Sequence, residues 1–363
     1  MGGRRTAAAA LLLAAAAACS TTQAAPPPAP TPTPSLGGAA TPSPTPAPRG
    51  TITLAFAGDV HVMGAIRQRF GRDGLLDAGD PLFGDVGPLL SGADLAVVNL
   101  ETAVTDRGTA ADKQYVFRAP AGVFPALMSA GVDVATLANN HGMDYGQVGL
   151  ADTLAAARSA RFRGLVGAGE DDTAAFTPYL ATVKGWRVAV LGATHVLDTS
   201  VAAAWTAGPH RPGLASAYRL DRLLTAVRNA RAHADTVVVY LHWGTEMQAC
   251  PTASQQALAH ALVDAGADVV VGSHAHVLLG DGRLGSAYVG YGLGNFLFYA
   301  GGSGPTSQSE VLTLTVRGRH VVRAAHHPVR VGGGRVHLVT GAAAQAARER
   351  IAALRDCTGL SAG

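Results

Sequence analysis

The feature that most constrains this chain is a pattern that repeats from Thr51 onward. Short Val- and Ile-rich runs, apolar on both faces, alternate with helical patterns, and nearly every run ends in polar side chains. The runs are Ile52–Ala57, Leu95–Asn99, Val134–Ala138, Arg187–Gly192, Thr236–His242, Val269–Gly272 and Ala287–Tyr291. Strands with this composition belong to sheets covered on both faces. The helical patterns are Leu82–Leu90, Ala121–Ala130, Gln147–Arg161, Leu220–Ala234 and Ser254–Ala265, the last introduced by Pro251-Thr252. The alternation predicts an α/β fold. Ser91-Gly92-Ala93-Asp94, Ala130-Gly131-Val132-Asp133 and Ala265-Gly266-Ala267-Asp268 each close a helix and open a strand, and glycine suits the left-handed position that ends a helix.

The polar clusters are Asp59-Val60-His61, Asn99-Leu100-Glu101, Asn139-Asn140-His141, His242-Trp243-Gly244 and His274-Ala275-His276. They fall at the carboxyl ends of strands, where open α/β sheets collect ligands. Alternate residues of an extended backbone share a side, so Asp59 with His61, and His274 with His276, can each reach one metal or two neighbouring ones. Asp59, His61, Glu101, Asn140, His242, His274 and His276 make seven donors, too many for one tetrahedral ion. Two ions sharing a carboxylate fit that number. Such a pair, about 3.5–4 Å apart, clamps a phosphoryl group and lowers the pKa of a bridging water. Nitrogen and oxygen donors without thiolate suit Mn, Fe or Zn. Taken singly, each cluster also has a structural explanation: a hydrogen-bonded strand-end histidine, or a turn aspartate after Gly58. His195 ends a strand as well. His210, His233, His260, His320, His326, His327 and His337 read as helix-face or loop residues.

Composition excludes other classes. A chain 48% hydrophobic and 15% charged is not wholly disordered. A net charge of +3, no basic block and few aromatics argue against nucleic-acid binding. Of the 28 basic residues only Lys113 and Lys184 are lysines. Three cysteines are too few for a disulfide scaffold or a four-cysteine zinc site.

Met1 to Cys19 read as an export signal, with Arg4 and Arg5 ahead of the apolar stretch Thr6–Ala18, which is too short to span a bilayer. Its end, Ala-Ala-Ala-Cys19-Ser, resembles a lipobox, in which Cys19 would be acylated. An ordinary secretory signal cleaved near Ala18 or Ala25 is the alternative. From Thr21 to Gly50 the chain carries ten of its 20 prolines among Thr, Ser and Ala, the composition of an extended tether.

Six motifs in order resemble the CapA-like family, named for poly-γ-glutamate capsule synthesis. They are Ala57-Gly58-Asp59; Asn99-Leu100-Glu101; Ala138-Asn139-Asn140-His141 with Asp144 and Gly146; His242-Trp243-Gly244 with Glu246; Gly272-Ser273-His274-Ala275-His276; and Leu293-Gly294-Asn295-Phe296. The resemblance covers roughly Thr51 to Tyr299. That family is similar in fold to the calcineurin-like metallophosphoesterases, so the resemblance implies an αββα sandwich of two mixed sheets with a dinuclear centre. It implies that Asp59, His61 and His276 hold one metal, and Asn140, His242 and His274 the second. Glu101 would bridge them, although the phosphoesterases carry Gly-Asp at the corresponding motif. His141 would protonate the leaving group, oriented by Asp144 or Glu246. Asn99, Arg118 and Asn295 are the expected substrate contacts, Arg118 having the alternative of a solvated loop residue.

The expected division is a lipoprotein-type signal peptide (1–19), a disordered tether (20–50), the CapA-like domain (51–335) and a C-terminal helical tail packed on it (336–363). The loops Thr102–Tyr115, Leu197–Ala217 and Gly301–Gln308 are expected to frame the site. The implied function is an extracytoplasmic, metal-dependent hydrolase of a phosphoester or related bond in capsule or envelope polymer metabolism. The alternative is a non-catalytic accessory protein, working with a membrane synthase or exporter of an anionic polymer. The protein would be lipid-anchored to the cell membrane, or secreted. With Cys19 in the leader, Cys250 and Cys357 remain for a disulfide in an oxidising compartment, or as two buried thiols.

Overall fold

Strands buried on both faces need cover on both, and the chain supplies it in four layers. The structure, a computed structural model, describes Ala25, Arg49–Tyr299 and Ser303–Ala362. The expected signal peptide with Cys19, and most of the tether, lie outside the described residues. The first sheet begins with Ile52–Val60 (β1), Leu95–Leu100 (β2), Val134–Thr136 (β3) and Leu165–Val166 (β4). The second comprises Tyr179–Val183 (β5), Trp186–Thr194 (β6), Thr236–His242 (β7), Val269–Ser273 (β8), Leu278–Leu284 (β9) and Ala287–Leu293 (β10). The chain then returns to the first sheet with Asn295–Leu297 (β11), Gln308–Arg317 (β12), His320–Gly332 (β13) and Arg335–Leu338 (β14). The strand orders are β14-β13-β12-β1-β2-β3-β4, with β11 also on β1, and β9-β10-β8-β7-β6-β5. Both sheets are mixed: β1 to β4 run parallel, as do β6, β7, β8 and β10, while the edges are antiparallel.

Alternation along β1 shows the layering. Leu54 and Phe56 pack between the sheets with Val97, Val190, Val238, Tyr240, Val271 and Leu312. Ala55 and Ala57 point outward, into a layer with Leu90, Phe124, Leu127 and Ala157. The outer face of the second sheet buries Leu191, Val239 and Val270 against Leu223, Val227, Leu258 and Leu262. This is the αββα sandwich of two mixed sheets. The helix Ala253–Ala265 starts at a capping box in which Thr252 and Gln255 bond each other's backbone.

Several local expectations are revised. Leu82–Leu90 is a short 3-10 turn, Gly84–Val86, followed by the helix Gly87–Ser91 with Pro88 in its first turn. Gly131 and Gly266 end their helices at φ 84° and 113°, but Gly92 stays right-handed at φ −84°. Antiparallel strands β13 and β14 carry His and Arg on a half-exposed face, and in β12 Thr313 and Thr315 interrupt the apolar residues, so all three lack the doubly apolar signature. Accordingly His320, His326, His327 and His337 lie on strands rather than on helices or loops. Strand β14 runs across the expected boundary at 335, and the C-terminal helix starts at Gly341. Cys250 and Cys357 are joined by a disulfide.

His326 occupies a buried polar network between the sheets. Its Nδ1 is 2.8 Å from Glu310 and its Nε2 3.4 Å from Asp281, while Arg355 lies 3.5 Å from Asp281. Burial opposes protonation, but the two carboxylates overcome it and push the imidazole up to about 9. A histidine whose pKa is raised on folding adds stability that is complete below its unfolded value near 6.5 and is lost as pH climbs through about 9. The melting temperature is therefore expected to fall between pH 7 and pH 10, and His326→Gln to flatten that fall. Parallel melting curves for the two proteins over this range would contradict the assignment.

Candidate metal centre

The parallel order of β2, β1, β7 and β8 brings the carboxyl ends of both sheets to one place. Gly58 allows the approach: a Cβ there would stand 1.8 Å from the Gly294 carbonyl oxygen. Gly272 does the same for Trp243, whose indole fills the space a Cβ would take and donates to the Tyr291 carbonyl at 2.8 Å. His274 and His276 have φ of 98° and 57°. Two non-glycine residues held in the left-handed region are strained, and such strain concentrates at functional sites.

Two donor groups form. Glu101, His242 and His274 offer atoms all within 4.8 Å of one another, and so do Asp59, Glu101 and His276. Glu101 belongs to both. It is wholly buried, and neither of its carboxylate oxygens has a hydrogen-bond partner. Asn140 Oδ1 lies 2.8 Å from His242 Nε2, which places it beside the first group. His274 Nδ1 and His242 Nε2 approach to 3.1 Å.

The electrostatics are those of a cation site. Burial, reinforced by Asp59 and Asp144, pushes Glu101 well above the usual carboxylate range. Burial likewise raises Asp59. It drives His242 well below the usual imidazole range and His274 down to about 3, with neighbouring histidines adding to each shift. The lowered histidines favour the neutral imidazole a divalent ion binds, and the raised carboxyls are groups that a bound cation would hold ionised. An orphaned buried carboxylate shared by two donor groups, with nitrogen and oxygen donors around it, suits divalent metal binding.

Around the donors lies a supporting shell. Asn99 is wholly buried and donates to Asp59 at 2.7 Å, contacts His242 Nδ1 at 3.1 Å, and accepts from Asn139 at 2.9 Å. Both polar atoms of its side chain thus have partners within the cluster. Asn295 accepts from or contacts His276 Nδ1 at 2.8 Å and donates to the Thr306 carbonyl, so it too orients a ligand. Ser273 Oγ, 3.2 Å from His242 Nδ1, can receive that proton when Nε2 is given to a cation.

The other expected site residues are placed as follows. His61 stands outside both donor groups: its Nε2 accepts from the Tyr299 N–H at 2.8 Å, its ring stacks on Phe298, and its buried Nδ1 is unpartnered. Glu246 is exposed. His141 is oriented by Asp144 alone, at 2.6 Å from Nδ1, and its ring stacks on Phe117 at 3.9 Å. Arg118 donates to the Arg107 carbonyl and stacks on Tyr145, so its contacts are with the neighbouring loop. Burial lowers His141 more than Asp144 raises it, which favours the neutral ring. His195 donates its backbone N–H to the His242 carbonyl, and its ring packs on Tyr218.

Two contributors were not picked out from sequence. Phe117 fixes the His141 ring plane and donates its N–H to Asp144 at 2.6 Å; its proximity to Arg118 in sequence was the only signal. Lys113 reaches Asp144 at 2.9 Å and Asp198 at 3.2 Å, and also donates to the Asn140 carbonyl. Its rarity among so many arginines was the signal available.

Comparison with known proteins gives a consistent result. The family described as bacterial capsule synthesis protein PGA_cap matches residues 53–300. The capsule biosynthesis protein CapA of Bacillus anthracis is 37% identical over 258 residues, covering 69% of this chain and 60% of that protein. The PGA biosynthesis protein CapA of Bacillus subtilis (strain 168) is 33% identical over 254 residues, covering 69% and 64%. The chain thus spans somewhat under two thirds of the length of these relatives. A 5'-nucleotidase structure from Candida albicans SC5314 aligns with a TM-score of 0.44 at 11% identity, over 85% of this chain and 58% of that one.

Proposed function

The chain belongs to the bacterial capsule synthesis protein (PGA_cap) family, and from that premise we propose that it is a dinuclear metal-dependent hydrolase of a phosphoester or related bond in capsule or envelope polymer metabolism. The observation that carries this is Glu101, a buried carboxylate with no partner, shared by two donor groups. Glu101, His242, His274 and Asn140 would hold one ion, and Asp59, Glu101 and His276 the other. Bound there, the ions would polarise the bond under attack and lower the pKa of a water.

The chain's own residues do the rest. Asp144 holds Nδ1 of His141, leaving Nε2 directed toward the centre, 4.0 Å from Glu101. With Nδ1–H on Asp144, the neutral ring presents a lone pair at Nε2. An arriving anionic group favours its protonation, and the protonated ring can then give that proton to a departing oxygen. Phe117 and Phe298 cover one side of the cluster and keep water from it. The relatives' names, CapA of capsule and PGA biosynthesis, favour a second reading: a non-catalytic accessory to polymer synthesis or export. A screen of metal-loaded protein against phosphomonoester, phosphodiester and γ-glutamyl substrates separates the two, since the hydrolase reading requires turnover on at least one class.

We also propose that Cys19 is acylated and anchors the domain outside the cytoplasmic membrane. Cys19→Ala is then expected to move the protein from the membrane fraction to the soluble one. An unchanged distribution would dismiss the anchor.

A further inference from the structure

We infer that Lys113 is a positioning residue whose ammonium group clasps the His141 segment to two flanking loops. The inference rests on the hydrolase reading only for its kinetic test. Three segments meet at this one side chain. Lys113 comes from the loop after β2, Asn140 and Asp144 from the turn after β3, and Asp198 from the loop after β6. Its Nζ donates to the Asn140 carbonyl and to Asp144 Oδ1 at 2.9 Å, and pairs with the Asp198 carboxylate at 3.2 Å. The side chain is 7% exposed, and the ammonium lies 5.1 Å from the centre of the Trp205 ring.

An ammonium has three N–H donors and no acceptor. Two are committed to Asn140 and Asp144 and the charge is paired with Asp198, so Lys113 is engaged by the fold rather than turned to a substrate anion. What it does instead follows from the other oxygen of Asp144. Lys113 takes Oδ1, while Oδ2 serves His141 Nδ1 at 2.6 Å and the Phe117 N–H at 2.6 Å. Fixing one carboxylate oxygen fixes the plane of the other, and with it the direction of the imidazole. The contact to the Asn140 carbonyl fixes the preceding residue, whose side chain reaches His242. Lys113 therefore sets the His141 ring relative to the donor cluster. A tetrahedral ammonium suits three acceptors from different directions better than the planar fork of arginine, which explains a lysine here in a chain that otherwise uses arginine.

The test uses full-length Lys113→Met, which keeps the stem length and removes the charge. Asp198→Asn, at a position 47% exposed, serves as a milder second variant. The primary readout is the NMR resonance of the His141 Nδ1–H held by Asp144 in protein loaded with diamagnetic zinc, with zinc content measured alongside. Lys113→Met is expected to shift or broaden that resonance while metal content stays at the wild-type level, and Asp198→Asn to move it less in the same direction. In turnover, kcat is expected to fall about 10²-fold at an unchanged KM, the loss typical of a misplaced group. A resonance unmoved in folded Lys113→Met overturns the inference. If that variant does not fold, an unmoved resonance in Asp198→Asn does so. A wild-type protein without turnover defeats the hydrolase reading and leaves the NMR result to decide on Lys113.

Discussion

His141→Asn is expected to lower turnover by about 10²–10⁴-fold on a substrate with a poor leaving group, measured at full metal occupancy. The ring is held on Asp144 and pressed against Phe117, so its free nitrogen has one direction to face. A proton delivered from there matters most when the departing oxygen is a strong base. On a substrate whose leaving group departs unaided, the loss is expected to shrink toward tenfold or less. His141 also donates its backbone N–H to the Asn139 side chain, a contact that asparagine retains. If His141 only braced the Asn140 turn, the substitution would lower metal occupancy instead. Rates equal to wild type on both substrates, with both ions present, would remove the general-acid role and favour the accessory reading.

Glu101→Gln is expected to reduce metal affinity by more than 10²-fold. Loss of a supporting residue such as Asn295 typically costs about 10–100-fold, and Glu101 is shared by both donor groups. The same substitution should raise the melting temperature of the metal-free protein. It removes a buried carboxylate that has no partner, and an unpaired buried acid is destabilising. Opposite changes in the metal-free and metal-loaded proteins would be hard to obtain from a simple packing defect. A variant that binds metal like wild type would show that Glu101 is not a ligand.

The parallel strands were legible because their chemistry is written twice, once as a doubly apolar run and once as the polar cluster that ends it. Asp59, His242, His274 and His276 could therefore be placed before any coordinates. Strands β12 to β14 were not, because Thr313 and Thr315 interrupt β12 and partly exposed His and Arg side chains interrupt β13 and β14. Partners within the site were harder still. Asp59 and His61 share a side of an extended strand, but β1 shifts register between Asp59 and Val60, and His61 turns to Phe298 and the Tyr299 N–H. Asn99 and Asn295 carry donors that sequence spacing assigns equally well to a substrate or to a neighbouring ligand. Only their actual contacts decide. Lys113 lies in a loop without periodicity, and its partners come from two other parts of the chain, the turn at Asn140 and Asp144 and the loop at Asp198.

The account stands or falls on how many ions the centre holds. Titration of metal-free protein with manganese, followed by elemental analysis after gel filtration, gives the number directly. Two tightly bound ions per chain, with the count reduced in Glu101→Gln and in His274→Ala, are the predicted result. One ion per chain or none, or a count of two that survives both substitutions, would contradict the two-metal centre.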